Sequence, residues 1–315
     1  MNHTRVSMCR KGMLLVLVVA TALGGCKKQD DRPKVVLLMK SLANEFFKTM
    51  EDGALAHHKQ REAEYSLKVV GMKNETDVAE QIRNVELTIA QGADAIVIAP
   101  ADSKALVAVC KKAMDAGIIV VNIDNKFDEE VLKDKGVKIP FVGPDNRKGA
   151  KLAGVYLSTR LQSGDKVAII EGAPNAYNGI QRKMGFDEAM IGSNMNIVSS
   201  QTGYWETDKA QPVAAGLINE HPDLKAILCA NDSMALGAVT AVREAGKTGA
   251  IHVIGFDNIA AARQLLKDGK ILCTVDQHAD QLATYGIEYA LEMLKTKAQP
   301  ADKETPVDLV TAELL

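Results

Sequence analysis

Aromatic residues make up only 4% of this 315-residue chain, and tryptophan occurs once. The core must therefore be aliphatic, and the 47% hydrophobic content supplies it. That balance suits parallel strands buried beneath helices on both faces. Cysteine is equally scarce, at five residues. Cys9 and Cys26 fall near the start. Cys110, Cys229 and Cys273 each follow an apolar neighbour and show no CxxC spacing, which excludes a disulfide framework or thiolate metal site and reads as small buried hydrophobes. The six histidines are scattered, so no metal site is expected. No GxGxxG, HExxH or GxSxG segment occurs, so neither a bound cofactor nor catalysis is expected. Gly246-Lys247-Thr248 ends like a phosphate loop, but Ala241 occupies the position where such a loop needs glycine. It also follows a helical stretch instead of a strand. Basic excess is missing too. The formal charge is −2, and −5 without the three basic residues of positions 1–25, which excludes the electrostatic footprint of a nucleic-acid binder.

What is present begins with a targeting segment. Arg5, Arg10 and Lys11 precede an apolar run over residues 13–23, the length of a signal-peptide core and short for a membrane span. The run ends in Leu23-Gly24-Gly25-Cys26, a pattern that resembles a bacterial lipoprotein signal. Residues 1–25 are then the signal peptide, Cys26 the lipidated first residue, and 26–33 a charged tether. Lipidation with more than one chain would hold the protein on a membrane face outside the cytoplasm.

Beyond the tether, apolar runs alternate with amphipathic stretches. Strands are predicted at 35–39, 67–72, 95–99, 118–123 and 137–143, and helices at 46–64, 77–91 and 103–116. Gly92 and Gly117 close the last two helices. The alternation starts afresh with helices at 149–161 and 181–192 and strands at 166–171, 197–201, 226–230, 252–256 and 271–275. Repeated units of this length predict right-handed βαβ crossovers and parallel sheets. The fold class is α/β, with two doubly wound lobes.

Ligands of open α/β sheets bind beyond the carboxyl ends of strands. Those ends carry Lys40, Asn44, Phe46, Phe47, Asp124, Asn125, Trp205, Asn231, Asp257 and Gln277. Amides, carboxylates and aromatic rings together suit a sugar, whose hydroxyls donate and accept while its C–H face lies on a ring. Asp124 and Asp257 have a second reading as helix caps, and Asp232 is expected to cap the helix that follows it.

Three segments carry a family resemblance: 41–47 (SLANEFF), 231–238 (NDSMALGA) and Gly255-Phe256-Asp257. In order and spacing they resemble ribose-type periplasmic binding proteins over residues 34–310. Lys40, the 121–126 segment VNIDNK and the 229–232 segment CAND are similar to the allose-binding branch. The resemblance implies the type I periplasmic binding protein fold with a three-segment hinge. Its crossings fall near Pro144/Asp145, Gln277/His278 and Asp308/Leu309. One lobe would comprise 34–144 plus 278–308, the other 145–277 plus 309–315. It adds Arg182 to the sugar-contacting positions; Asn125 departs from the arginine of ribose binders. It implies a monomer that captures a monosaccharide or polyol and delivers it to an ABC transporter permease. A sensor presenting the same ligand to a chemoreceptor is the alternative.

Overall fold

The computed structural model describes residues 1–3 and 30–315, so Cys26 and most of the expected signal peptide lie outside the described residues. The first sheet has six strands: β1 (Lys34–Ser41), β2 (Ser66–Met72), β3 (Ala95–Ile98), β4 (Ile119–Ile123), β5 (Phe141–Pro144) and β11 (Lys303–Thr305). They lie in the order β11-β5-β4-β3-β1-β2 and all pair in parallel. The second sheet holds β6 (Lys166–Glu171), β7 (Asn196–Thr202), β8 (Ala226–Cys229) and β9 (His252–Ile254) in the order β7-β6-β8-β9, again parallel. β1 is buried along nearly its whole length, whereas the edge strands β2 and β7 are only partly covered. A strand flanked on both sides and covered on both faces needs this continuous Val/Leu run.

Helices α1 (Glu45–Gln60), α2 (Val78–Ala90), α3 (Val107–Asp115), α4 (Glu129–Asp134) and α10 (Ala279–Thr296) accompany the first sheet. The second is served by α5 (Asn146–Ser158), α6 (Tyr177–Gly192), α7 (Thr207–Glu220), α8 (Asp232–Glu244) and α9 (Ala260–Lys267). Side-chain caps start several of them. Asn44 accepts from the Phe46 amide at 3.0 Å, Asp77 from Glu80 at 2.8 Å and Asp145 from Lys148 at 2.9 Å, each satisfying a backbone donor that the helix leaves open. Gly92 and Gly117 follow α2 and α3 with φ of 66° and 85°, the left-handed closure that glycine adopts without cost.

Three expectations change. The helix predicted from residue 103 starts at Val107, because the Asp102 carboxylate accepts from the Lys104 and Ala105 amides and holds a turn there. The strand predicted at 137–143 is shorter and follows Pro140; the charged segment before it forms the short helix α4, capped by Asp128. The strand predicted at 271–275 is not a full member of the second sheet. It runs beside β9 through bonds such as the Gly255 amide to the Cys273 carbonyl. Its last part, β10 (Thr274–Asp276), pairs antiparallel with β12 (Asp308–Val310) in a two-stranded ribbon. The chain passes between the sheets after β5, between β10 and α10, and between β11 and β12. Cys110, Cys229 and Cys273 are free and buried. Among the described residues no helix is long and apolar enough to cross a membrane.

Candidate functional site

The carboxyl ends of both sheets face one cavity. On the first-lobe side, Lys40 sits near the end of β1 with its Nζ 3.6 Å from Asp124 Oδ2 and 4.0 Å from Glu75 Oε2. All three side chains are buried. Burial pushes the Glu75 carboxyl up to about 7, against the pull of Lys40 and the Asn44 amide. Asn44 donates from Nδ2 to Glu75 Oε1 at 3.0 Å while its Oδ1 caps α1. That cap sets the start of α1, which carries Phe46 and Phe47 edge to face at 5.0 Å. Lys40 Nζ lies 5.3 Å from the Phe47 ring and 5.6 Å from the Trp205 ring, a cation between two aromatic faces.

Arg182 organises the opposite wall. It is 2% exposed and lies 3.7 Å above the Phe256 ring. Its Nε donates to Asn146 Oδ1 at 2.8 Å, and Nη1 donates to the Ala230 carbonyl at 2.8 Å and Asp257 Oδ1 at 3.2 Å. Gln277 donates to the same Asp257 oxygen at 2.7 Å. Burial pushes the Asp257 carboxyl well above its usual range, opposed by Arg182; the same burial lowers the guanidinium. Asn231 caps α8 by accepting from the Met234 amide and donates to the Trp205 carbonyl at 3.2 Å. Trp205 itself packs against Gly172, where a Cβ would fall 2.1 Å from the indole.

Two features mark this cavity as built for a ligand. Asp124, Trp205 and Asp257 have φ of 62°, 71° and 121°, conformations that cost non-glycine residues about 1–3 kcal/mol each and collect at functional sites. Neither aspartate caps a helix: α4 is capped by Asp128, and α9 has no side-chain cap. In addition, Gln277 Oε1 and Trp205 Nε1 are buried without a hydrogen-bond partner in the protein, and Asp124 Oδ2, ion-paired with Lys40 at 3.6 Å, likewise accepts no hydrogen bond. Leaving a buried polar atom unmatched costs about 1–3 kcal/mol. Two acceptors and one donor are therefore available to a bound molecule. The space between the lining atoms is small, about 240 Å³ including the part open to solvent. A roomier groove of about 1640 Å³ between α8 and α9 is lined by Leu236, Val239, Leu265 and Leu266. It lies away from the strand ends, and none of its lining atoms is buried and unmatched.

Ten of the eleven candidate residues line the cavity: Lys40, Asn44, Phe46, Phe47, Asp124, Arg182, Trp205, Asn231, Asp257 and Gln277. Asn125 does not. Its amide donates to the Pro100 carbonyl at 2.8 Å, and its oxygen accepts from Ser103 Oγ and the Asn178 amide, both at 3.2 Å. Asp232 is not a cap either, since Asn231 takes that role. Buried completely, Asp232 accepts from Thr274 Oγ1 at 2.7 Å and the Ile259 amide at 3.0 Å, and burial pushes its carboxyl up to about 6. Sequence reasoning missed two lining residues, Glu75 and Asn178. Glu75 follows β2 and obeys the same strand-end rule; Asn178 lies in the first turn of α6 and has no strand-end signal. No group of three His, Cys, Asp or Glu side chains that could hold a metal occurs among the described residues.

Two hinged α/β lobes around a polar, ring-lined cleft define the class of extracytoplasmic solute-binding proteins. The chain belongs to the periplasmic binding protein domain family, which it matches over residues 35–298. It is 56% identical to the D-ribose/D-allose-binding protein of Pseudomonas aeruginosa, over 95% of this chain and 97% of that one. It is 32% identical to the ribose import binding protein RbsB of Escherichia coli, over 94% and 96% of the two chains. Among solved structures, an ABC transporter solute-binding protein of Burkholderia multivorans, with an unknown ligand interpreted as α-D-erythrofuranose, superposes with a TM-score of 0.88 at 55% identity, covering 90% of this chain and 100% of that one. One of Actinobacillus succinogenes with bound D-allose gives 0.85 at 35% identity, covering 90% and 99%. The family description and the names of these relatives are those of binding proteins, not of enzymes.

Proposed function

We propose that this protein is the extracytoplasmic binding subunit of an ABC importer and captures one neutral, allose- or ribose-like monosaccharide between its lobes. The observation that carries this reading is the unmatched set Asp124 Oδ2, Gln277 Oε1 and Trp205 Nε1 beside the rings of Phe47 and Trp205. Two acceptors need hydroxyl donors, one donor needs an oxygen, and the rings need an apolar face. A sugar carries all three. Lys40 and Arg182 face three carboxyls, Glu75, Asp124 and Asp257, so nothing in the lining compensates a phosphate or carboxylate on the ligand. The import function in the relatives' names favours transport over chemosensing.

In this reading the lobes, 34–144 plus 278–308 and 145–277 plus 309–315, rotate about the three crossings and trap the sugar. The closed pair is then recognised by the permease. The protein acts as a monomer held to a membrane face by lipid on Cys26. A thermal-shift and calorimetric screen tests the ligand. At a hundredfold excess over Kd, D-allose or D-ribose should stabilise the protein by about 2.7 kcal/mol, while ribose 5-phosphate should leave the melting temperature unmoved. Stabilisation by the phosphate and not by the neutral sugars would overturn the reading. Mass spectrometry of protein extracted from membranes should find a lipidated N-terminal Cys26; an unmodified, longer N-terminus would rule out the anchor.

A further inference from the structure

The hydrogen bonds that cross the cleft gather at two places, and most of the residues that make them do not line the sugar cavity. At one, Glu45 in the first turn of α1 reaches the other lobe, where its two carboxylate oxygens accept from the Ala260 and Ala261 amides at 3.1 and 3.3 Å. Those amides begin α9 and have no partner within that helix, and α9 has no side-chain cap of its own. The carboxylate thus supplies, from the opposite lobe, the cap that α9 lacks, and meets the positive end of the helix dipole. Beside it, Ser233 Oγ donates to Asn44 Oδ1 at 3.4 Å. At the other place, Ser103 Oγ accepts from the Tyr177 amide at 2.9 Å and donates to Asn125 Oδ1. Asn125 Oδ1 also accepts from the Asn178 amide, and the Ser103 amide donates to the Asn175 carbonyl at 3.1 Å. Neither Glu45, Ser103 nor Asn125 lines the cavity.

We propose that Glu45 on one side, and Ser103 with Asn125 on the other, form two clasps that set the affinity for sugar by stabilising the closed lobes without contacting the ligand. The inference rests on the proposed function. Except for the Ser103–Asn125 bond, which holds the first lobe's acceptor in place, each bond joins groups on different lobes, so opening breaks it and exposes its donors and acceptors to water. The apparent affinity of a ligand scales with the population of the state that holds it. A clasp therefore multiplies the affinity for every sugar by the same factor, whereas a cavity residue discriminates between sugars.

The test compares wild type, Glu45→Ala, Ser103→Ala and the double variant, with D-allose and D-ribose as probes and a spin label on each lobe to report closure. Each single change should weaken both sugars equally, by about threefold to tenfold for the loss of about one hydrogen bond or capping interaction. The ratio of the two affinities should stay at its wild-type value, and sugar dissociation should quicken. The double variant should lose roughly the product of the two factors, because the clasps share no residue or hydrogen-bond partner. The interlobe distance without sugar should shift toward the open form. Unchanged affinity in both single variants, or losses that differ between the sugars, would overturn the proposal. A wild type that binds neither sugar would instead overturn the proposed function. The interlobe distance would then decide the clasps alone, with an unchanged distance in the double variant counting against them.

Discussion

At the scale of single residues, the second-lobe wall depends on one cation. All hydrogen-bond partners of Arg182, namely Asn146, Ala230 and Asp257, lie in its own lobe, so these bonds survive opening of the cleft. Removing the guanidinium strands a buried carboxylate, a loss on the order of 3–5 kcal/mol. Arg182→Ala is therefore expected to lower the melting temperature without sugar and to abolish the shift on adding it. Asp232→Ala should separate the two effects. Its carboxylate holds Thr274 and the Ile259 amide together and does not line the cavity. That variant should lose about 1–3 kcal/mol of stability and keep its affinity for sugar. Calorimetric affinity alongside thermal melting checks both, and a loss of affinity larger than the loss of stability in Asp232→Ala would move Asp232 into the site. Residues at this scale were legible in the sequence where the rule for strand ends applied. It located Lys40, Asp124 and Asp257, and it also covers Glu75, which escapes notice because the segment after β2 reads as a charged loop. The rule could not separate Asn231 from Asp232, because which neighbour caps a helix depends on which side chain turns toward the Met234 amide.

At the scale of elements, the aromatic wall is set by glycine as much as by tryptophan. Gly172 follows β6 directly, and Gly179 lies in the first two turns of α6. A Cβ on the first would fall 2.1 Å from the Trp205 ring, and on the second 3.0 Å from it. Gly172→Ala is expected to push the indole from its seat and take Trp205 Nε1 away from the cavity. Affinity should drop by about fivefold to a hundredfold, since overpacking of a fitted site typically costs about 1–3 kcal/mol. Fluorescence of the single tryptophan reads this directly: the variant should differ in emission from wild type and respond less to sugar. An unchanged spectrum and affinity would show that the ring has no such seat. The sequence disclosed the run of β and α elements because buried parallel strands and capped helices write strong local patterns. It did not disclose this contact, which joins residues 33 positions apart. The early start expected for α3 failed for a related reason, since periodicity cannot show that Asp102 will bind two backbone amides and delay the helix.

At the scale of the whole molecule, closure is linked to protons through Glu75. The closed cavity holds this carboxyl at about 7, with desolvation outweighing Lys40 and Asn44, and with Asp124 and Glu206 adding to the rise. Opening exposes it to water and removes the desolvation that raises it, so it falls back toward the ordinary glutamate value of 4.5. Between those two values the closed form keeps a proton that the open form has released. Closing thus takes up a proton, and raising the pH through that window disfavours it; below the window both forms are protonated, and above it the loss is complete. This is the reverse of a carboxylate stabilised by an ion pair, whose contribution disappears as the pH falls. The affinity for D-allose is accordingly expected to decline as the pH rises from about 5 to about 8, by on the order of tenfold to a hundredfold. Glu75→Gln keeps an oxygen for the Asn44 amide to donate to while removing the titration, so its calorimetric affinity should be nearly flat over that range. A slope that persists undiminished in Glu75→Gln would assign the proton to another carboxyl of the cavity, with Asp257 the first to replace by asparagine, since burial raises it as well.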